Sequence, residues 1–111
     1  MGLASWQAGV PASSVDATNI TGIANVALGY GSLSSMTLGD GNIGLGYLAG
    51  SSVTSGNNNI FIGNNIQPNI STTASNQLSI GNWIYGNNGN IGIGIANPGA
   101  KLEVAGQIKI T

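Results

Sequence analysis

Residues 42–50 read NIGLGYLAG: an asparagine, two aliphatic residues spaced two apart, and then a glycine. The same phrase recurs as NVALG from Asn25, NIFIG from Asn59, QLSIG from Gln77 and NIGIG from Asn90. The closing glycines are Gly29, Gly46, Gly63, Gly81 and Gly94, at steps of 17, 17, 18 and 13 residues. Aligning them produces two aliphatic columns, Val26, Ile43, Ile60, Leu78, Ile91 and Leu28, Leu45, Ile62, Ile80, Ile93. Residues two apart project from the same face of an extended strand, so each pair marks one face of a short β-strand. The intervening Ala27, Gly44, Phe61, Ser79 and Gly92 are mostly small and belong to the other face, which they keep slim enough for a neighbour to approach. A third column, Met36, Val53 and Ile70, follows the 17-residue step.

Between the phrases lie SSMTLGDG, SSVTSGNN, ISTTASN and YGNNG, clusters of residues that turn readily and tolerate positive φ. No window carries helical periodicity, and an interior glycine costs a helix about 1 kcal/mol. The pattern predicts an all-β chain, a β-solenoid in which each strand pairs with its equivalent one repeat away. Asn25, Asn42, Asn59 and then Asn90 are expected to stack as an amide ladder. The two aliphatic columns are the expected assembly core, buried between coils and between chains. A solenoid of about five short coils is marginal alone, because each coil buries its face only against its neighbours. Three chains around an axis would fill the core and cover the edges, as a trimeric β-roll or β-prism-like assembly. Three segments are expected: an extended stretch over 1–23, the solenoid over 24–97 and a connector over 98–111. Asn97-Pro98-Gly99 marks the second boundary. In the connector, Leu102 and Val104 followed by Ile108 and Ile110 predict a short C-terminal β-hairpin or strand pair.

Composition narrows the function. Of 111 residues only five are charged: Asp16, Asp40, Lys101, Glu103 and Lys109. With two lysines and no arginine, the chain lacks the cations that displace counterions from phosphates, so no nucleic-acid partner is expected. There is no Cys or His, which removes the usual nucleophile and base pairs. The three carboxylates fall in three different segments, so no paired-acid site is expected, and the reading is not an enzyme. No metal and no cofactor are expected: GDGN around Asp40 reads as a turn rather than a calcium loop, which needs several oxygen ligands. The GNIGLG and GNIGIG stretches precede no helix, so they are repeat glycines rather than a dinucleotide loop. No run approaches the ~18 apolar residues of a membrane helix, so no membrane insertion is expected.

The phrases NVALGYGSLSS and NIGLGYLAGSSVTSGNNNIFIGNN resemble the N-T-A-I-G-Y-x-A-L repeats of phage tail fibres and bacterial surface proteins. Those repeats are similar in style to the β-roll heads of trimeric autotransporter adhesins. NIGIGIANPGAKLEVAGQIKI resembles the GIGTTNPSAKLDVNG segment that precedes an intramolecular chaperone peptidase in such fibres. The resemblance spans about Asn25 to Ile110. It implies an extracellular fibre or filament subunit, on a cell surface or a virion tail, that assembles with itself as a homotrimer. The 17-residue step is longer than that of adhesin heads, so coil shape does not carry over. Nothing here matches the peptidase, so self-cleavage does not carry over either. In the family a GLASWQ-like phrase lies downstream of GQIKIT-like tails, whereas here it opens the sequence. That order implies that the chain is one module of a repeating fibre, or that successive subunits meet tail to head.

The aromatic residues Tyr30, Tyr47, Trp83, Tyr85 and Trp6 are the remaining candidates for a site. Tyr30 and Tyr47 share one repeat position and should stack. Aromatic side chains fill cores and subunit junctions, and exposed ones can platform sugar rings. The alternative function is therefore a receptor- or glycan-binding adhesin module on such a fibre, its partner a cell-surface glycan or receptor. A third reading, an ice-binding solenoid, needs a flat threonine array, and Thr37 with Thr54 makes only a two-step column.

Overall fold

A computed structural model describes residues 22–111. These contain no helix and seven short strands: β1 Val26–Leu28, β2 Ile43–Leu45, β3 Ile60–Ile62, β4 Gln77–Ile80, β5 Ile84–Asn87, β6 Asn90–Ile93 and β7 Leu102–Val104. They form one sheet in chain order. The first four pair in parallel, with Val26 opposite Ile43, Ile43 opposite Ile60 and Ile60 opposite Leu78. The architecture is a β-solenoid of about three turns, and the repeat step is its coil length. The extended segment expected over 1–23 lies almost wholly outside the described residues.

Two side-chain ladders hold the register. Each phrase-opening amide accepts the backbone N–H of the next: Asn42 N–H donates to Asn25 Oδ1 at 2.8 Å, Asn59 N–H to Asn42 Oδ1 at 3.0 Å, and Gln77 N–H to Asn59 Oδ1 at 2.8 Å. The amide nitrogens close each coil by donating to Gly39, Gly56 and Ala74 carbonyls at 2.7, 2.8 and 3.0 Å. Asn42, Asn59 and Gln77 are buried. A buried amide left unpaired costs about 1–3 kcal/mol, so a slipped coil would orphan several such groups together. The second ladder runs the opposite way through the turns. Ile23 N–H donates to Asp40 Oδ1 and Asp40 N–H to Asn57 Oδ1, both at 2.8 Å, and Asn57 N–H to Ser75 Oγ at 2.9 Å. Asp40 is thus a turn residue in a ladder.

The fourth rung of the amide ladder is Gln77, not Asn90. The fifth phrase does not stack on the fourth, because the chain reverses first. β5 runs antiparallel to β4, with Ile80 opposite Ile84, and β6 runs antiparallel to β5. Asn88 and Gly89 join β5 to β6 with φ of 50° and 89°, the paired positive φ values of a type I′ turn. Asn90 instead donates through Nδ2 to the Pro98 carbonyl at 3.3 Å. β7 returns to the parallel direction, with Ile91 opposite Leu102. Leu102 and Val104 therefore form a strand, but its partner is β6 rather than the residues around Ile108 and Ile110, which are in no strand and are 67% and 90% exposed.

The faces are also the reverse of the expected ones. The interior is lined by the row between the aliphatic pairs, where Gly44, Phe61 and Ser79 are buried. The opposite wall of each coil supplies the bulk: Leu33, Met36, Ala49, Val53 and Ile66 pack with Phe61 as the core. A coil of 17 residues has two walls close together, so one can carry large side chains only where the other is small. A Cβ on Gly44 would stand 2.5 Å from Ser32 Oγ and 3.0 Å from Leu33 Cγ. Of the third column, Met36 and Val53 are in the core, but Ile70 is 36% exposed. The third coil carries one extra residue, Asn59 to Gln77 being 18 apart where Asn42 to Asn59 is 17, and that shifts Ile70 out of register.

Candidate assembly surface

With the interior assigned to the small row, the aliphatic columns point outward. Pairing places Val26 and Leu28, Ile43 and Leu45, Ile60 and Ile62, and Leu78 and Ile80 on the outer face of β1 to β4. Across the reversal the face continues through Ile84 and Gly86, then Ile91 and Ile93, then Leu102 and Val104. Gly86 leaves no gap: a Cβ there would stand 2.8 Å from Leu78 Cβ, so the Leu78 side chain lies across it. Every outward position on the sheet is thus Val, Leu, Ile or that one glycine. Seven strands at the usual spacing make a strip about 29 Å long. No charged side chain lies on it.

The ten residues expected to form the assembly core are therefore brought together, on the outside of the coil. Val26 is 50% exposed, Leu28 53% and Ile93 45%; the others are half-buried by neighbours along the column. No described residue covers the strip. Parallel sheets are normally buried on both faces, because each face reads as a continuous aliphatic surface. Here the inner face has the opposite wall of the coil, and among the described residues the outer face has nothing comparable.

Tyr30 and Tyr47 stack beside the strip, with ring centroids 5.8 Å apart and planes 15° from parallel, each about half exposed. The stack ends there, since the equivalent residue of the next coil is Asn64. Trp83 and Tyr85 do not join it. Trp83 sits exposed in the β4–β5 turn, its indole over Gly81, whereas Tyr85 lies opposite Ser79 and Gly92 on the inner side of the sheet. Trp6 lies outside the described residues. The threonine column runs one coil further than its first two members: Thr37 Oγ1 donates to the Thr54 carbonyl at 3.1 Å and Thr54 Oγ1 to the Thr72 carbonyl at 3.3 Å. Their protons are committed to the ladder.

Lys101 Nζ donates to the Gly89 carbonyl at 3.3 Å, and Glu103 Oε1 accepts the Gly99 N–H at 2.7 Å. Among the described residues no three His, Cys, Asp or Glu side chains come together as metal ligands. No described helix is long and apolar enough to cross a membrane. No protein-family model, curated protein or solved structure matches this chain.

Proposed function

We propose that this chain is a structural module of a fibre, on a virion tail or a bacterial surface, that assembles side by side with copies of itself. The observation that carries this reading is the uninterrupted aliphatic outer face of β1 to β7. Burying it returns about 25 cal/mol for each Å² removed from water, and it holds no polar group whose desolvation would oppose that. With five charges in 111 residues, the chain also lacks the mixed charge that keeps small domains apart. A homotrimer is the assembly that the resemblance to tail-fibre and adhesin repeats implies, with the three strips facing a common axis.

Light scattering of the purified chain is expected to give three times its 11.0 kDa mass, and electron microscopy short rods. A compact, monodisperse monomer at micromolar concentration would overturn the reading.

One observation favours a second role on the same fibre. The Tyr30–Tyr47 stack leaves both rings about half exposed, the kind of platform on which a sugar ring packs. If the fibre binds glycans there, Tyr30→Ala combined with Tyr47→Ala keeps the assembly but loses retention on immobilised glycans. Unchanged retention assigns the stack to packing.

A further inference from the structure

Residues 107–110, QIKI, repeat the amide–aliphatic–x–aliphatic phrase of β4, QLSI, yet form no strand. Their two isoleucines are among the most exposed aliphatic side chains of the chain. Beside them in sequence, β7 is the last strand of the sheet and, among the described residues, pairs along one edge only. Such an edge is a template for another strand.

Laid parallel to β7, the segment places Ile108 beside Leu102 and Ile110 beside Val104, extending both outer aliphatic columns by one rung. It also places Lys109 beside Glu103. Glu103 Oε1 already accepts the Gly99 N–H, and its second oxygen remains for a cation. The chain has two cations and three acids in all, so the meeting of one of each in this register is informative.

The segment cannot reach its own β7 in that register. A parallel return needs a crossover of a dozen or more residues, and only Ala105 and Gly106 lie between β7 and the segment. A two-residue turn at Ala105-Gly106 would pair Glu103 with Ile108 and Leu102 with Lys109. That slip puts the isoleucines on the wrong face and a lysine in the aliphatic strip. A three-residue turn restores the faces but needs a left-handed residue at Gln107, whereas the positive φ of 140° is at Gly106.

We infer that residues 107–110 of one copy add as an eighth strand to the free edge of β7 in a second copy, with Lys109 paired to Glu103 across the junction. The inference rests on the self-association proposed above and names what each copy contributes to the next. Residues directly opposite on neighbouring strands have Cα atoms about 4.8 Å apart, within disulfide range, and the native chain has no cysteine to compete. The variant with Glu103→Cys and Lys109→Cys, mildly oxidised, is expected to run on a non-reducing gel as a covalent species. Its mass should equal that of the reduced assembly in solution. A monomer band with both thiols consumed would mean a hairpin within one chain and would overturn the inference. So would free thiols in a protein that still associates, which leaves self-association standing. If the wild-type chain is itself monomeric, both readings fall. A charge test needs no cysteine: Lys109→Glu should weaken association roughly five-fold, and adding Glu103→Lys should restore it. Equal association of all three proteins would overturn the pairing.

Discussion

Replacing Gly46 by alanine is expected to abolish the folded solenoid. Gly46 has φ of 127°, a backbone region that side-chain-bearing residues rarely enter, at a strain of about 1–3 kcal/mol. The larger penalty is steric. A Cβ there would overlap the Gly63 carbonyl oxygen and lie 2.8 Å from its carbon. The obstacle is backbone, so no rotamer change relieves it. The coil above cannot retreat, because the parallel ladder sets the strand spacing near 4.8 Å. A Cβ on Gly29 would likewise stand 2.6 Å from the Gly46 carbonyl, so the neighbouring coil is packed as closely and leaves no slack. The net stability of a small domain is only about 5–15 kcal/mol, and an unrelieved backbone overlap adds to that strain. Circular dichroism should show no cooperative thermal transition for Gly46→Ala. Gly99→Ala, whose new Cβ would meet only Glu103 Oε1 at 3.8 Å, should melt within a degree or two of wild type. A Gly46→Ala protein melting close to wild type would mean that the coils do not stack at this spacing.

The coil length was legible because a stacked strand must present equivalent residues to its neighbour, which writes the register directly into the sequence as a 17-residue step. Alternation likewise separates two faces of every strand. It does not say which is inside. Aliphatic pairs ordinarily point to a core, but here they are outside, because the opposite wall of a narrow coil brings its own Leu33, Met36, Val53 and Ile66. Two signals could have revealed the inversion. Met36 and Val53 formed their own column at the coil period, and Phe61 stood as the one large residue in the small row.

The reversal after β4 was also visible. The last step is 13 residues rather than 17, and Asn88-Gly89 between IYGN and NIGI is a strong hairpin signal. Reading the five phrases as equivalent hid both. The replacement of the ladder asparagine by Gln77 could be read from QLSIG, but not its reach. In the longer third coil its Oε1 accepts the Ile70 N–H at 2.8 Å and its Nε2 donates to the Ser71 and Ala74 carbonyls at 3.0 Å. The Tyr30–Tyr47 stack followed from shared repeat position, whereas the separation of Trp83 from Tyr85 depended on the unread hairpin. Ile108 and Ile110 had the right alternation for a strand. What fails is the linker, too short and with its glycine one place early for the register the charges favour.

Leu45→Asp combined with Ile80→Asp is expected to convert the assembly to monomers without unfolding the chain. Both side chains leave the outer face of the sheet, on β2 and β4, and are half-buried only by neighbours in their column. They are separated by β3, so their carboxylates do not oppose each other directly across a strand pair. In the monomer each carboxylate reaches water, and the cost is about 1 kcal/mol per site in strand propensity and lost column packing. In the assembly each would be buried against aliphatic side chains with no donor on the strip, at several kcal/mol per group. Every copy would bring both charges to the same seam. A loss of about 4 kcal/mol lowers the association constant roughly a thousand-fold. Light scattering should then give the mass of one chain, while circular dichroism keeps the wild-type β signal. Leu38→Asp, at an exposed site off the strip, should leave the mass of the assembly unchanged. If the double variant retained that mass, the strip would not be the surface through which copies meet. Loss of the β signal along with the mass would mean that these side chains hold the coil together from within, contrary to their outward placement.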